Sequence, residues 1–517
     1  MSSLPKLLKG DRVFDAVTLP LLSIAQAFLI AVGVFATREA FTALHSGTGI
    51  ETWTLAKLIL AGLAGSGIEF LRRVLAERLG QSYAASLRLR LYEQLAGMNK
   101  SELDNRRLGA LSLRFVGDLS AARNWFGKGV PRILAAAAIV PGAAITLWML
   151  DSRIAMSSGS VLFIGLLVMG AVAVGLGLRH ETLRSRRANI AIAMMERIAL
   201  APMLDLLGRT ERELKALDQQ NGQLKVGAIE REKRAARLGL VPQVALTLAL
   251  AVALWDAARL GTSTGTTAAI LSILAVLVLP LRELALSWDH YCAWRIARRK
   301  LEVLLSKESR LREPVAANQP VGLRAKGRIA GTEVDLDVPA GETLFLTGGT
   351  DQVLSTLARS MAGLDNRPTL DVTYKSETSD FPSIQFIGDP AIALQGSLRR
   401  TMTLGISPRP TSRRILRMAE KFGITHLLPE KKKSLRERIS EHARNLSPAD
   451  SLRLELARAA LANPDIVIID TVRFDADPHK DALLKRLALE TESTIVVVDR
   501  YAASGAPIAM KNAPLAA

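Results

Sequence analysis

A membrane domain of six α-helices followed by an α/β domain is the fold class that this 517-residue sequence predicts. A positive mean hydropathy of +0.21 coexists with a formal charge of +18. Six apolar stretches fall within the first 281 residues, and from Leu323 onward short β-type runs alternate with helical ones. Apolar and basic together point to a membrane protein with cationic cytosolic connections. Aromatic residues make up only 5% of the chain and no compact Lys/Arg tract is interleaved with them, so no nucleic acid is expected as a partner. The single cysteine, Cys292, excludes an intrachain disulfide and leaves too few thiolates for a structural zinc site.

The stretches 19–36, 55–71, 133–150, 154–178, 238–255 and 268–281 approach the roughly 20 residues that a helix needs to cross a bilayer. The second holds Lys57 and Glu69, each within about one turn of an end, where long charged side chains reach the interface. The N-terminal "MSSLPKLLKGDRVFDAVTLP" has no small-residue cleavage site ahead of a short apolar core, so the first run is expected to stay as a membrane helix.

Orientation follows from the basic residues. The connections "TREAFTALHSGTGIETW", "DSR" and "DAARLGTSTGTT" are poor in Lys/Arg, whereas residues 72–132 hold twelve and residues 179–237 are also rich in them. The two long connections are therefore expected in the cytosol, together with both termini, in a multi-pass protein of the plasma (inner) membrane. Within them, "SYAASLRLRLYEQLAGM" and "AMMERIALAPMLDLL" place apolar residues at helical spacing, which predicts helices extended beyond the bilayer. The sixth span runs on through "RELALSWDHYCAWRIARRKLEVLL", and periodicity fades at the polar, proline-bearing "SKESRLREPVAANQPVG". The expected division is a membrane domain over 1–306, a linker over 307–322 and a second domain over 323–517. In that domain "TLFL", "SIQFIG", "DIVIID" and "STIVVVD" read as buried strands, and "STLARSMAGL" and "SLRLELARAALAN" as helices. This pattern predicts a largely parallel sheet.

Three blocks carry a family resemblance. "ERLGQSYAASLRLRLYEQLAGMNKSELDNRRLGALSLRFVGDLSAARNWFGKGVPRIL" resembles the first intracellular loop of ABC exporter half-transporters, "MMERIALAPMLDLLGRTERELKALDQQNGQL" resembles the second, and "LSPADSLRLELARAALANPDIVIID" is similar to the signature helix running into the Walker B strand. Their order and spacing agree over nearly the whole chain. The resemblance implies a six-helix ABC exporter-type domain fused to an ABC-ATPase-like nucleotide-binding domain.

It also implies a nucleotide site whose chemistry is replaced. "TGGTDQVLSTLARSMAGL" has the outline of a Walker loop, G-x-x-x-x-G-K-[ST], in which glycines let backbone N–H groups wrap phosphates and lysine neutralises them. Gly348 takes the first glycine position, Asp351 stands where the family usually has glycine, Val353 replaces the last glycine and Leu354 the lysine. Valine resists positive φ, leucine carries no charge, and Asp351 brings a negative one toward a polyphosphate. Ser355 and Thr356 retain hydroxyls, which also suit a helix cap. Gly388 stands at the Q-loop glutamine, Thr471 at the general-base glutamate and Asp499 at the switch histidine. "LSPAD" replaces the family's "LSGGQ", with Pro448, Ala449 and Asp450 in place of the glycines and glutamine. Ser447 as N-cap, Pro448 at the first helical position and Asp450 at the third would occupy the helix's own donors. Asp470 matches the Walker B aspartate and Asp477 loosely the D-loop aspartate. No aromatic residue between Trp294 and Phe345 could stack on adenine.

The residual nucleotide-binding candidates are thus Gly348, Ser355, Thr356 and Asp470. No catalytic residue, metal site or cofactor of its own is expected, and any ATP with Mg²⁺ is expected on a partner subunit. The absent lysine and base each normally remove most catalysis, so no ATPase activity is expected from this chain by itself. Two functions remain open. One is the degenerate half of an ABC-type exporter, paired with an intact half-transporter as a heterodimer or with itself as a homodimer, and driven by ATP bound mainly on the intact partner. The other is a non-transporting pseudo-ABC scaffold or regulatory subunit in the bilayer.

Overall fold

The computed structural model describes residues 4–106, 111–112, 114–174, 177–309, 315–317, 319–376, 381–428, 435–499 and 508–512. The chain divides into two units, residues 1–96 with 106–308 and residues 97–105 with 309–517. The short segment 97–105, assigned from sequence to the membrane domain, thus makes its contacts with the C-terminal unit.

The first unit is helical: α1 (Arg12–Ser46), α2 (Thr52–Ala96), then, after α3 (Lys100–Asp104) of the second unit, α4 (Leu119–Asn124) and α5 (Val130–Leu150) joined by a π-helical turn. It continues through α6 (Ser152–Val174), α7 (Gly177–Leu206), α8 (Thr210–Leu260), α9 (Thr264–Val276) and α10 (Val278–Leu305). Among the described residues six helical runs are long and apolar enough to cross a membrane, and the six expected stretches fall in them except at the end of the fourth, whose run closes at Ala173 while Gly177 and Leu178 already belong to α7; Gly175 and Leu176 lie outside the described residues. The helices outrun the bilayer, as the periodicity of the long connections predicts, α2 reaching 45 residues and α8 reaching 51.

Small residues let these helices approach. A β-carbon at Gly80 of α2 would lie 2.7 Å from the Arg123 carbonyl oxygen and 2.8 Å from Gly127 Cα, so only glycine fits that crossing. Ile154, Leu246, Ile270, Ile273 and Leu274 fill the core between α6, α8 and α9. Phe28, Leu63, Phe163 and Trp255 stay exposed, as expected of faces whose solvent is lipid. The break between α9 and α10 sits at Leu277, where Pro280 cannot donate to the carbonyl one turn back. The two spanning charges have partners, one on the neighbouring helix and one on its own: Lys57 Nζ donates to Glu39 Oε2 of α1 at 2.9 Å, and Glu69 pairs with Arg72 and Arg73 one turn on.

The second unit holds a five-stranded sheet in the order β10-β3-β9-β8-β5, with β3 (Thr343–Thr347), β9 (Thr494–Val498), β8 (Ile466–Asp470) and β5 (Ile384–Gly388) parallel and β10 (Ala509–Asn512) antiparallel at the edge. The four strands read from sequence are the parallel ones. Their near-continuous apolar runs are what burial on both faces requires. A second, antiparallel sheet, β2-β1-β4, joins β1 (Gly322–Ile329), β2 (Thr332–Val338) and β4 (Leu370–Lys375). Its alternating, charge-bearing strands carry no such continuous run. Helices α11 (Asp351–Met361), α12 (Leu398–Met402), α13 (Ser412–Lys421), α14 (Pro448–Ala462), α15 (Val472–Ala476) and α16 (Lys480–Glu490) complete the unit, with a two-residue pair β6 (Gly396–Ser397) and β7 (Arg438–Ile439). Segment 97–105 is fastened there by paired bonds: Lys100 N–H to the Leu364 carbonyl at 2.9 Å, Ser101 N–H to Asp365 Oδ1 at 2.8 Å, and Asn366 N–H to Asn99 Oδ1 at 3.1 Å.

Candidate nucleotide site

The loop after β3 keeps two glycines in the left-handed region, Gly348 at φ 83° and Gly349 at φ 66°, as a chain turning sharply from strand to helix requires. The helix then begins early. Thr350 is the N-cap of α11, its Oγ1 accepting from Val353 N–H at 3.3 Å, and its carbonyl accepts from Leu354 N–H at 3.0 Å. The backbone donors at the positions of the family's last glycine and lysine are therefore already bonded within the helix. Val353 and Leu354 lie inside α11, buried in an apolar cluster with Leu357, Met361 and residues of β1 to β3, while Asp351 is exposed in the first turn. Beside the loop, a β-carbon on Gly349 would lie 3.3 Å from Ile508 Cγ1. The loop thus has an apolar neighbour there.

Ser355 and Thr356 are helical and do not cap. Ser355 Oγ donates to Asp470 Oδ2 at 2.7 Å, and Thr356 Oγ1 donates to the Gln352 carbonyl at 2.6 Å. Arg359, one turn on, donates to Ser355 Oγ at 3.3 Å and lies 3.6 Å from Asp104 Oδ2 of α3. A polar line therefore runs from the end of β8 through α11 to segment 97–105.

The space beyond β8 is filled by a residue that sequence reasoning passed over, Arg473. Its Nη2 donates to the Gly388 carbonyl at 2.6 Å and to Glu455 Oε2 at 2.7 Å, its Nη1 to Ser451 Oγ at 2.9 Å, and its Nε to Asp389 Oδ1 at 2.8 Å and Thr471 Oγ1 at 3.1 Å. Glu455, in the middle of α14, also accepts from Ile392 N–H at 2.9 Å and from Arg458 at 3.3 Å. Burial pushes the Arg458 guanidinium below its ordinary value, with Glu455 opposing that shift. The available signal was a glutamate inside the apolar helix "SLRLELARAAL" and an arginine two residues after Thr471; buried charges of that kind need partners. Thr471 itself caps α15, accepting from Arg473 N–H at 3.2 Å. At Gly388 a β-carbon would come 2.5 Å from Phe386 Cε1, so a glutamine there would force Phe386 to move.

At the start of α14, Ser447 Oγ accepts from Asp450 N–H at 3.0 Å and donates to Asp450 Oδ2 at 2.7 Å, and His426 Nε2 lies 3.0 Å from Asp450 Oδ1. With Pro448 at the first helical position and Ala449 after it, the terminus offers a carboxylate where an anion would need N–H donors. Asp477 turns inward: Arg453 clamps it through Nε at 2.8 Å and Nη2 at 3.2 Å, and His479 N–H donates to it at 2.8 Å. Burial pushes that carboxyl up, but Arg453 and the His479 amide outweigh burial and hold it below 3.8. Asp499 continues the sheet, its N–H donating to the Leu346 carbonyl at 3.0 Å; the residues directly after it lie outside the described ones. Among the described residues no group of three or more His, Cys, Asp or Glu could hold a metal ion.

Fold and site together define a multi-pass membrane protein that carries an ABC-ATPase-like α/β unit. The chain belongs to the family of the ABC transporter transmembrane region, whose model matches residues 16–281. It is 20% identical over 493 residues to an ABC transporter ATP-binding protein of Bacillus subtilis, covering 89% of this chain and 80% of that one. It is 27% identical over 293 residues to a multidrug efflux ATP-binding/permease protein of Mycobacterium tuberculosis, half of this chain against 24% of that longer protein's length. In fold it is similar to a bacterial Atm1-family ABC exporter solved with ATP bound, with a TM-score of 0.78 at 15% identity, covering 96% of this chain and 92% of that one.

Proposed function

We propose that this chain is the non-hydrolysing half of an ABC-type exporter in the plasma (inner) membrane, with both termini cytosolic, working with ATP bound mainly by an intact partner half. The observation that carries this reading is the internal bonding at several of the family positions that would meet nucleotide. Val353 and Leu354 amides are bonded to Thr350, Ser355 is bonded to Asp470, and Arg473 fills the space beside Thr471. A site so closed has little to offer a polyphosphate, whereas its apolar body is intact and can still dock. The need for a second chain is supported by the tip of the α7–α8 connection, where Met203, Leu206 and Leu207 are exposed with no lipid span around them.

The test is purification of the tagged chain from its native membrane in mild detergent, with mass spectrometry of what stays bound. A stoichiometric ABC chain with complete Walker lysine and catalytic glutamate is expected. Recovery of the chain alone, or with unrelated membrane proteins, would favour the scaffold reading, to which the same closed site is equally suited. Self-pairing without any intact ABC chain would leave no site for hydrolysis and would sink the exporter reading.

A further inference from the structure

Residues 398–446 hold thirteen Lys/Arg against four Asp/Glu, a surplus of nine that supplies half of the chain's +18. Helix α13 of the second unit lies within this stretch. Thr411 caps it, with Oγ1 accepting from Arg414 N–H at 3.4 Å, and Ile415, Met418, Ala419 and Phe422 are buried in the apolar cluster shared with α14. At about 100° per residue, Arg413, Arg414, Arg417 and Lys421 fall within about 100° of one another on the opposite face. Burial of the inner face therefore holds a basic outer face in place.

Elsewhere in this unit exposed cations sit beside carboxylates. Arg324 lies 3.3 Å from Asp335 and Lys480 2.8 Å from Asp475, and on α13 itself Lys421 bonds to Glu490. Arg413, Arg414 and Arg417, with Arg409 just ahead of the helix, are exposed and pair with no described carboxylate. Glu420, the one acid on α13, pairs with none of them. Arg413 and Arg417 are four residues apart and Arg414 and Arg417 three, spacings at which like charges repel across a helix turn. A bound polyanion would relieve that repulsion.

The surroundings select among polyanions. Among the described residues of 398–446 no large apolar or aromatic side chain is exposed, so bases have nothing to stack on and nothing is offered to the acyl boundary of a bilayer. A guanidinium fork matches a carboxylate through two parallel bonds. Along the helix axis Arg413 and Arg417 are about 6 Å apart, close to the roughly 6.6 Å between alternate residues of an extended chain.

We propose that the outer face of α13 docks an acidic polypeptide segment, bound extended, with alternate carboxylates on Arg413 and Arg417 and with Arg414 beside them. The proposal goes beyond the exporter reading and does not rest on it.

Fluorescence anisotropy of a labelled Glu-Ser repeat peptide, titrated with the full chain in dodecyl maltoside at low salt, tests it. Saturable one-to-one binding is expected, with none to a Lys-Ser repeat. The triple variant Arg413→Gln, Arg414→Gln and Arg417→Gln should weaken it at least tenfold, as should Arg417→Glu alone, with helical circular dichroism unchanged. Three charges removed from β1 instead, by Arg324→Gln, Lys326→Gln and Arg328→Gln, should leave the affinity within twofold. Equal weakening by the β1 variant would mean attraction to net charge alone and would overturn the proposal. Displacement of the peptide by duplex DNA or by phosphatidylglycerol at a lower concentration of anionic charge than unlabelled peptide requires would also overturn it, assigning the face to phosphates.

Discussion

At the scale of single residues, the second unit is organised around Arg473. A guanidinium presents five N–H donors in a rigid fork, and here that fork ties the end of β5, the middle of α14 and the turn after β8 into one cluster with Glu455, Asp389 and Ser451. Buried ion pairs add little beyond an apolar replacement, but removing one member leaves the other charge uncompensated, at roughly 3–5 kcal/mol. Arg473→Met should therefore lower the thermal unfolding midpoint of the detergent-purified chain by on the order of 10 °C, and pairing it with Glu455→Gln should restore part of the loss. A midpoint unchanged by Arg473→Met would mean that the cluster is not holding these elements. Both charges can be read in the sequence, yet their partnership cannot, because Glu455 and Arg473 meet only when α14 packs over the sheet.

At the scale of elements, α11 begins its helix directly after the glycines of the loop that follows β3. With Thr350 as cap and no glycine at position 353, the first turn closes on itself and carries Leu354 into the apolar cluster. A lysine at that position would place an ammonium among Leu357, Met361 and Val496, and burying a charge without a partner is costly. Leu354→Lys alone is thus expected to destabilise the chain and to leave ATP binding no stronger in an equilibrium titration. The triple change Asp351→Gly, Val353→Gly and Leu354→Lys is expected to give no ATPase above background, since Thr471 and the Arg473 cluster remain. Robust phosphate release from that triple variant would show that loss of the loop, rather than of the base, silences the unit. The residue types at 351, 353 and 354 are read directly from the sequence. The early helix start is not, because Ser355 and Thr356 look equally suited to cap it.

At the scale of the whole molecule, the two long connections between spanning helices differ in what covers them. Segment 97–105 is bonded into the C-terminal unit of its own chain through Asn99, Lys100 and Ser101. The tip of the other connection leaves Leu206 at 89% and Leu207 at 71% exposed. Such an apolar tip marks a protein interaction site. Leu206→Ser with Leu207→Ser should reduce recovery of the partner chain several-fold in the pull-down without changing the thermal midpoint of this chain alone. Unchanged recovery would place the pairing surface elsewhere.

By itself the sequence determined the class of the molecule. Six apolar stretches and the run of Lys/Arg in two long connections reflect the bilayer's demands on each segment separately, and the four parallel strands show as largely apolar runs because a parallel sheet is covered on its faces. It also determined that the loop after β3 carries no cation at position 354, since a leucine cannot carry a lysine's charge in any fold. Only the tertiary structure decided the Ser355–Asp470 bond, the Arg473 cluster and the docking of segment 97–105. Each depends on residues far apart in the chain being brought within a few ångströms, and a bond of that kind leaves no local periodicity to read.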